Sequence, residues 1–175
     1  EVSPSLMTAV PRLYDVLHER IIRSVRAKGG LSETLFMETV RLGRKRLARK
    51  RLLPHEFLLD CVLERLVRNK IQARLGGQLK YFISGGAALN PEIGSFFMAL
   101  GVKLLQGYGQ TEASPVISAN RPNKIKIETV GPPVAGVEVR FADDGEILVR
   151  GDLLMKGYWR DEHSTAAAIQ DGWLH

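Results

Sequence analysis

The fold follows from residues 79–105, which read LKYFISGGAALNPEIGSFFMALGVKLL. The run Leu79–Ile83 is short, apolar and followed by glycines, which is typical of a buried strand rather than a helix. Asn90 can cap a following helix, and Pro91 suits the first helical position. The stretch therefore predicts a strand, a glycine-rich loop and a helix that begins near residue 91.

The rest of the same stretch completes a βαβ unit. The apolar face of its helix recurs at the i, i+3, i+4, i+7 spacing at Ile93, Phe96, Phe97 and Leu100. Gly101 ends the helix, and Val102–Leu105 predicts a second strand. Because such crossovers are right-handed, we expect parallel strands whose following loops lie at the same carboxyl edge of the sheet.

The first 75 residues predict helices only. Apolar residues recur every three to four positions from Arg12 to Arg26, which indicates a helix with one buried stripe. Ser32 is a candidate cap for a second helix. A third helix is expected over 55–75, closed by two glycines.

Short strands and tight turns are predicted after residue 118. Two apolar runs, Gly136–Phe141 and Glu146–Arg150, flank the dipeptide Asp144-Gly145, which is a strong hairpin signal. A short helix is expected over 164–169. We therefore expect an α/β fold, with helices and a parallel βαβ sheet over 1–118 and part of a β-subdomain over 119–175.

Composition excludes several classes of protein. The 175 residues are 45% hydrophobic, and they contain no apolar run near the ~20 residues that a membrane helix requires. A single cysteine, Cys61, excludes an internal disulfide, and the four histidines lack metal-ligand spacing. A cytoplasmic protein is the expectation. Because the chain opens on Glu1 rather than Met and stops just after a strand-like Trp173-Leu174, we interpret it as an internal fragment.

The segment Gln106–Glu112, placed beside Ser84–Ala87, has the composition of a nucleotide site. Glycines let the backbone approach a ligand, and exposed amides suit phosphate oxygens. Tyr108 offers a flat face for a base, Thr111 a hydroxyl for a phosphate, and Glu112 an oxygen ligand for Mg²⁺. Alternatively, the glycines serve tight turns and Tyr108 belongs to the core. Spacing alone leaves both interpretations open.

The sequences of these segments resemble motifs of the adenylate-forming superfamily, which includes acyl-CoA synthetases, peptide-synthetase adenylation domains and luciferase-type enzymes. The motifs that carry the resemblance are Phe82–Ala87, Gly107–Glu112, Gly145–Gly151 with Met155–Trp159, and the ending Asp171–His175. The opening Val10–Tyr14 and its long helices are similar to the long-chain fatty-acid branch. The expected fold is thus part of the large domain of an acyl-CoA synthetase.

The resemblance implies a role for each residue of the two segments. The nucleotide-binding residues would be Gly85, Gly86, Ala87, Ala88, Gln106, Gly107, Tyr108, Gly109, Gln110 and Thr111. Among them, Gly86–Ala88 would border the adenine and Tyr108 would stack on it. Thr111 and Glu112 would be the catalytic residues, with Thr111 on the phosphate and Glu112 on the metal.

The implied reaction is an ATP-dependent ligation. A fatty-acid carboxylate attacks the α-phosphate of ATP, which gives acyl-adenylate and pyrophosphate, and the thiol of coenzyme A then displaces AMP. Mg²⁺ would stabilise the charge on the phosphoryl oxygens. An enzyme that stops at the acyl-adenylate, or passes it to a carrier protein, is the alternative within the superfamily. Because the upstream phosphate loop, the ribose-binding aspartate and the lysine-bearing carboxy-terminal domain lie outside this sequence, we expect the fragment alone to be inactive.

A basic run from Arg41 to Arg51 holds seven cations and no acid. It predicts either a solvated helix face or a peripheral contact with anionic membrane, which suits an enzyme of bilayer-soluble substrates. Nucleic-acid binding is not expected, because no aromatic residue is interleaved among the cations. A non-catalytic module that binds anionic surfaces remains the alternative from another class.

Overall fold

The computed structural model of the protein describes residues 3–175. Helices dominate the first part of the chain, and short strands dominate the second. The helices are α1 (Pro11–Lys28), α2 (Gly30–Leu47), α3 (Pro54–Leu63), α4 (Asn69–Arg74), α5 (Pro91–Ala99) and α6 (Glu162–Ala168). The strands are β1 (Leu6–Ala9), β2 (Tyr81–Ser84), β3 (Leu104–Tyr108), β4 (Ser118–Ala119), β5 (Glu138–Phe141), β6 (Ile147–Arg150), β7 (Ile169–Gln170) and β8 (Trp173–Leu174). A π-helical turn occupies Glu64–Arg68, and a 3₁₀ turn occupies Thr111–Ala113.

The chain divides into two compact units, the first ending at Leu105 and the second running from Gln106 to His175. In the first unit, β2 lies between β1 and β3. Strands β1 and β2 are parallel, and the amide of Phe82 donates to the carbonyl of Lys103, just before β3, at 2.9 Å. The predicted strand–helix–strand order is confirmed. Strand β1 has no counterpart in the sequence-based prediction.

The helix between β2 and β3 begins as predicted. Asn90 Oδ1 accepts a hydrogen bond from the backbone amide of Glu92 at 2.9 Å, and Pro91 occupies the first turn. Phe97 of this helix and Phe82 of β2 both pack edge-on against the ring of Tyr14 in α1. Burial of that tyrosine raises its pKa to about 12, and its hydroxyl donates to the carbonyl of Ile83.

One prediction for the helical region is wrong. Ser32 is not a cap, because α2 already begins at Gly30, where Gly29 is the capping residue. The third helix is confirmed over nearly its whole predicted range, with the π-helical turn between α3 and α4 as the unpredicted feature. That turn ends at Arg68, whose buried guanidinium donates to the Asp60 carboxylate at 2.7 Å. A π turn of this kind shifts the register of the side chains around the helix.

Helices α2 and α5 contact each other backbone to backbone. A Cβ added at Gly43 would lie 2.4 Å from the carbonyl oxygen of Ala99, so only glycine fits at this crossing. The same carbonyl accepts a hydrogen bond from Arg68 at 3.0 Å. Glycine at a helix crossing therefore brings the basic helix α2 directly against the helix that follows the glycine-rich loop.

The second unit has the predicted hairpin. Strands β5 and β6 are antiparallel, and Gly145 adopts a positive φ of 92° in the turn between them. The core beside this hairpin contains Ala113, Ile117, Val149 and Leu174. Among residues 3–175, no helix has the length and apolar character needed to cross a membrane.

Candidate functional site

The glycine-rich loop of the first unit is exposed. It joins the end of β2 at Ser84 to the start of α5, and Gly86, Ala87 and Ala88 within it are exposed. Within the loop, the backbone amide of Gly85 donates a hydrogen bond to the carbonyl of Ala9 at 3.4 Å. The loop thus presents backbone with little side-chain cover, as contact with a flat base requires.

A buried hydroxyl lies at the base of this loop. The Ser84 side chain is 1% exposed, and its Oγ has no hydrogen-bond partner among the residues that the structure describes. Buried hydroxyls without a partner are costly, so native structures seldom retain them without a reason. An unsatisfied hydroxyl at the edge of the glycine-rich loop is consistent with a ligand that brings a polar group to this place.

The second segment of the predicted site begins inside a strand rather than after it. Gln106, Gly107 and Tyr108 belong to β3, so the turn itself starts at Gly109. The side-chain amide of Gln106 is buried and donates to the carbonyl of Ile127. Gln106 therefore supports the connection after β4, whereas the ring of Tyr108 is 38% exposed and has a free surface.

The turn after β3 leaves no room at Gly109. A Cβ there would lie 1.9 Å from the carbonyl oxygen of Pro115, which is far inside van der Waals contact. Thr111 then opens the 3₁₀ turn and is exposed, while Ala113 is fully buried in the core of the second unit. The buried Ala113 anchors the turn, so that Thr111 stays at the surface.

Glu112 is held by two contacts from one later segment. Its backbone carbonyl accepts from the amide of Met155 at 2.8 Å, and its Oε1 accepts from the hydroxyl of Tyr158 at 2.9 Å. The hydrogen bond to the carboxylate, aided by partial burial, raises the pKa of Tyr158 above its ordinary value. The amide of Tyr158 is itself fixed by Thr165 Oγ1 at 2.9 Å.

Sequence reasoning assigned no role to Tyr158. The signal was present, because Met155–Trp159 is one of the motifs that carry the family resemblance, yet the motif alone does not say which residue its tyrosine contacts. In the structure, that tyrosine is the donor that orients the predicted metal ligand. We therefore add Tyr158 to the candidate site as a positioning residue.

The donor set around Glu112 fits magnesium held partly by a nucleotide. Within residues 3–175, no group of three or more His, Cys, Asp or Glu side chains is arranged to hold a metal ion. Mg²⁺ in nucleotide enzymes commonly takes one or two carboxylates and completes its shell with phosphates and water. A single oriented carboxylate next to a threonine hydroxyl is compatible with that pattern.

The basic run is largely neutralised by acids from other elements. Four of its seven cations form ion pairs, namely Arg41 and Lys45 with Glu56, Arg46 with Asp60, and Arg44 with Glu92. Glu56 and Asp60 are buried, so these contacts attach α2 to α3. Over the described part of the chain, Arg49, Lys50 and Arg51 form no ion pair.

Comparison with known proteins identifies the family to which this chain belongs. The AMP-binding enzyme family matches residues 1–159. The chain is 46% identical over 114 residues to the long-chain-fatty-acid–CoA ligase FadD15 of Mycobacterium bovis, with 65% of this chain and 19% of that protein covered. It is 36% identical to the peroxisomal long chain acyl-CoA synthetase 6 of Arabidopsis thaliana, with 98% and 26% covered.

A solved structure supports the same relationship. The anthranilate CoA ligase AuaEII, in complex with anthranoyl-AMP, superimposes with a TM-score of 0.51 at 26% identity, covering 57% of this chain and 21% of that one. The chain spans 19% and 26% of the lengths of the two curated relatives named above. With the family matched over most of its length, and with its glycine-rich loop and acidic turn in the expected order, this chain belongs to the AMP-binding enzyme family.

Proposed function

We propose that the chain is part of an AMP-forming ligase that activates a long-chain fatty acid and transfers it to coenzyme A. The observation that carries the proposal is the turn Gly109–Glu112, in which an exposed threonine precedes a carboxylate oriented by Tyr158. The names of the curated relatives, which are long-chain acyl-CoA ligases and synthetases, support the choice of acid and acceptor.

In the proposed reaction, each segment of the candidate site supplies residues that bind ATP. Gly85, Gly86, Ala87 and Ala88 border the adenine, and the exposed ring of Tyr108 stacks on it. Gly109 and Gln110 shape the turn, Gly107 lies in the strand just before it, and Gln106 supports the connection after β4 from the interior. Thr111 donates its hydroxyl to a phosphate oxygen, and Glu112 holds Mg²⁺, which supplies positive charge to the phosphoryl oxygens.

The bonds that change involve the substrates alone. A carboxylate oxygen of the fatty acid forms a bond to the α-phosphorus of ATP while the bond to pyrophosphate breaks. The sulfur of coenzyme A then forms a bond to the acyl carbon while the bond between that carbon and the phosphate oxygen of AMP breaks, and the thiol proton passes to solvent. Neither step needs a nucleophilic side chain, so the protein contributes positioning and electrostatic stabilisation.

Two measurements on the full-length protein test the proposal. Exchange of labelled pyrophosphate into ATP that depends on a long-chain fatty acid reports adenylate formation. Release of AMP that depends on coenzyme A reports thioester formation. Exchange without thioester formation would instead identify an acyl-AMP ligase or a carrier-protein ligase. The absence of both would contradict the ligase assignment and favour a non-catalytic module.

We also propose that the protein works in the cytoplasm and makes peripheral contact with anionic membrane through the basic region Arg41–Arg51. The net charge of +6 and the bilayer-soluble substrate support this contact, because anionic lipid attracts clustered lysine and arginine near the membrane surface. Salt-dependent co-sedimentation with anionic vesicles is the measurement that tests it.

A further inference from the structure

Helix α3 carries its acidic side chains inward. Glu56 and Asp60 are both 5% exposed, and Leu63 completes the buried face at the i, i+4, i+7 spacing. The two carboxylates are neutralised there by Lys45 and Arg46 of α2. The acids of this helix therefore contribute no negative charge to its outer face.

The outer face of α3 is apolar instead. Phe57 is 59% exposed and Leu58 is 67% exposed, and Cys61 and Val62 continue the same exposed side. Leu53, immediately before the helix, is 54% exposed. This distribution is the reverse of an ordinary surface helix, in which the apolar stripe faces the core and the charges face water. A surface of this kind needs an apolar partner.

Three cations that form no ion pair with any described residue directly precede this apolar face in the sequence. Arg49, Lys50 and Arg51 are exposed and precede Leu53, and no ion pair is formed by any of them within residues 3–175. Arg51 reaches the apolar residues, since it lines an open groove of about 630 Å³ together with Pro54, Phe57 and Leu58. Positive charge and exposed apolar side chains thus meet at Arg51, while Arg49, Lys50 and Leu53 are exposed neighbours of this groove in the sequence.

We propose that this surface, the α3 patch of Arg49, Lys50, Arg51, Leu53, Phe57 and Leu58, binds the surface of an anionic phospholipid bilayer. The cations meet the lipid phosphates and carboxylates, while the three apolar side chains enter the boundary between headgroups and acyl chains. The inference deepens the membrane contact proposed above and rests on it. It moves the contact from the ion-paired half of the basic run to its last three cations and to α3.

Charge complementarity selects the bilayer among possible partners. An uncharged apolar partner would leave three cations unpaired at the contact, and a nucleic acid would not use Phe57 and Leu58 on a helix without interleaved cations. A second copy of the same patch would oppose like charges. An anionic bilayer satisfies both the positive and the apolar part of the surface.

The first test is co-sedimentation of the full-length protein with vesicles of equimolar phosphatidylcholine and phosphatidylserine. The variant Arg49→Gln/Lys50→Gln/Arg51→Gln removes three cations, each worth about fivefold in partition, so we expect binding to fall about 100-fold. Arg20→Gln/Arg23→Gln/Arg26→Gln on α1 makes the same charge change at exposed positions outside the patch, and it is the matched control. Equal losses in the two variants would contradict the assignment to the patch.

The apolar half of the patch has its own readout. Electrostatic attraction is screened when salt is raised from ~0.1 M to ~1 M, whereas insertion of side chains is not. We expect Phe57→Gln/Leu58→Gln to remove the binding that persists at high salt. Retention of this binding in the variant would show that the two side chains do not insert.

Cys61 supplies a probe of the face itself in the unmodified full-length protein. We expect rapid alkylation of the peptide containing Cys61 in buffer and slow alkylation on the anionic vesicles, measured by mass spectrometry. Slow alkylation already in buffer would mean that another segment of the chain or a second copy covers α3, which overturns the proposal. Unchanged alkylation on vesicles that retain the protein would place the contact elsewhere.

Ligase activity on a short, soluble fatty acid separates the two proposals. The patch variants should retain this activity, because the patch contains none of the predicted nucleotide-site residues. If the patch variants have normal activity and unaltered vesicle binding, the proposal that the α3 patch binds the bilayer is wrong, and the ligase proposal is unaffected. Patch-dependent binding by a protein without ligase activity would refute the ligase assignment alone.

Discussion

The hydroxyl of Tyr158 donates to Oε1 of Glu112 at 2.9 Å, and these two residues are 46 positions apart in the sequence. The contact links the acidic turn after β3 to the segment between β6 and α6. It limits rotation of the one carboxylate that we assign to magnesium.

Tyr158→Phe should raise the Mg²⁺ concentration that supports half-maximal pyrophosphate exchange by about tenfold, since partners of metal ligands contribute ~10–100-fold. Glu112→Ala should have a larger effect, because it removes the ligand itself. Tyr81→Phe, which removes a hydroxyl in the first unit, serves as the control. An unchanged Mg²⁺ requirement in folded Tyr158→Phe would show that the hydrogen bond does not orient a metal ligand.

Tyr108→Ala should weaken ATP binding by ~1–3 kcal/mol, as expected for the loss of an aromatic ring on which a base stacks. Tyr108→Phe should retain most of the affinity, because the ring face is preserved. Isothermal titration with ATP measures both variants. If the two substitutions are equally damaging, the hydroxyl is the important group and the stacking role is wrong.

Gly109→Ala should abolish adenylate formation and lower the melting temperature, because the new Cβ would lie 1.9 Å from the Pro115 carbonyl oxygen and force the turn open. Gly107→Ala is a matched control for folding two residues earlier, since its Cβ would meet the nearest atom at 3.4 Å. Thermal unfolding of both variants provides the comparison, and pyrophosphate exchange measures the activity of Gly109→Ala. Equal tolerance at the two positions would contradict the close approach seen at Gly109.

Glu56→Gln should destabilise the protein at neutral pH and destabilise it less as the pH falls. The Lys45 ammonium, together with the Leu53 amide, lowers the pKa of Glu56 from 4.5 to about 2. This carboxylate therefore contributes its full stabilisation above pH 4.5, and the contribution is lost as the pH falls towards 2. Thermal unfolding of wild type and variant at neutral pH and at about pH 3 measures the narrowing difference.

The exposed Glu128 provides the control for that comparison, since Glu128→Gln alters a loop carboxylate outside the ion pairs of α2 and α3. It should change the melting temperature little at either pH. A difference between wild type and Glu56→Gln that is constant with pH would mean that the charge of Glu56 is not the source of its effect.

Sequence patterns correctly predicted those elements that are stabilised by residues close together in the sequence. The cap at Asn90 and the turn at Asp144-Gly145 depend on residues within a few positions of each other, and both are confirmed. Strand β1 could not be predicted in this way. Its four residues are mostly exposed and become a strand by pairing with β2, more than 70 positions later.

The same distinction explains the basic run and the candidate site. Seven cations without a neighbouring acid suggest a uniformly charged face, but the neutralising carboxylates of Glu56, Asp60 and Glu92 come from other helices. The residue types for phosphate and metal could be proposed from the motif around Thr111 and Glu112. The partner of that carboxylate could not, because only the folded second unit brings Tyr158 to it.

The close crossing of α2 and α5 joins these two helices by backbone contact and by an ion pair. Gly43 packs directly against the Ala99 carbonyl, and Arg44 also contacts Glu92 in the first turn of α5. Helix α5 is the direct continuation of the Gly85–Ala88 loop. Because ion pairs tie α3 to α2 in turn, we expect a pull on α3 to be transmitted through α2 and α5 to that loop. Attachment to lipid would then set the angle at which the loop faces the bilayer that supplies its substrate.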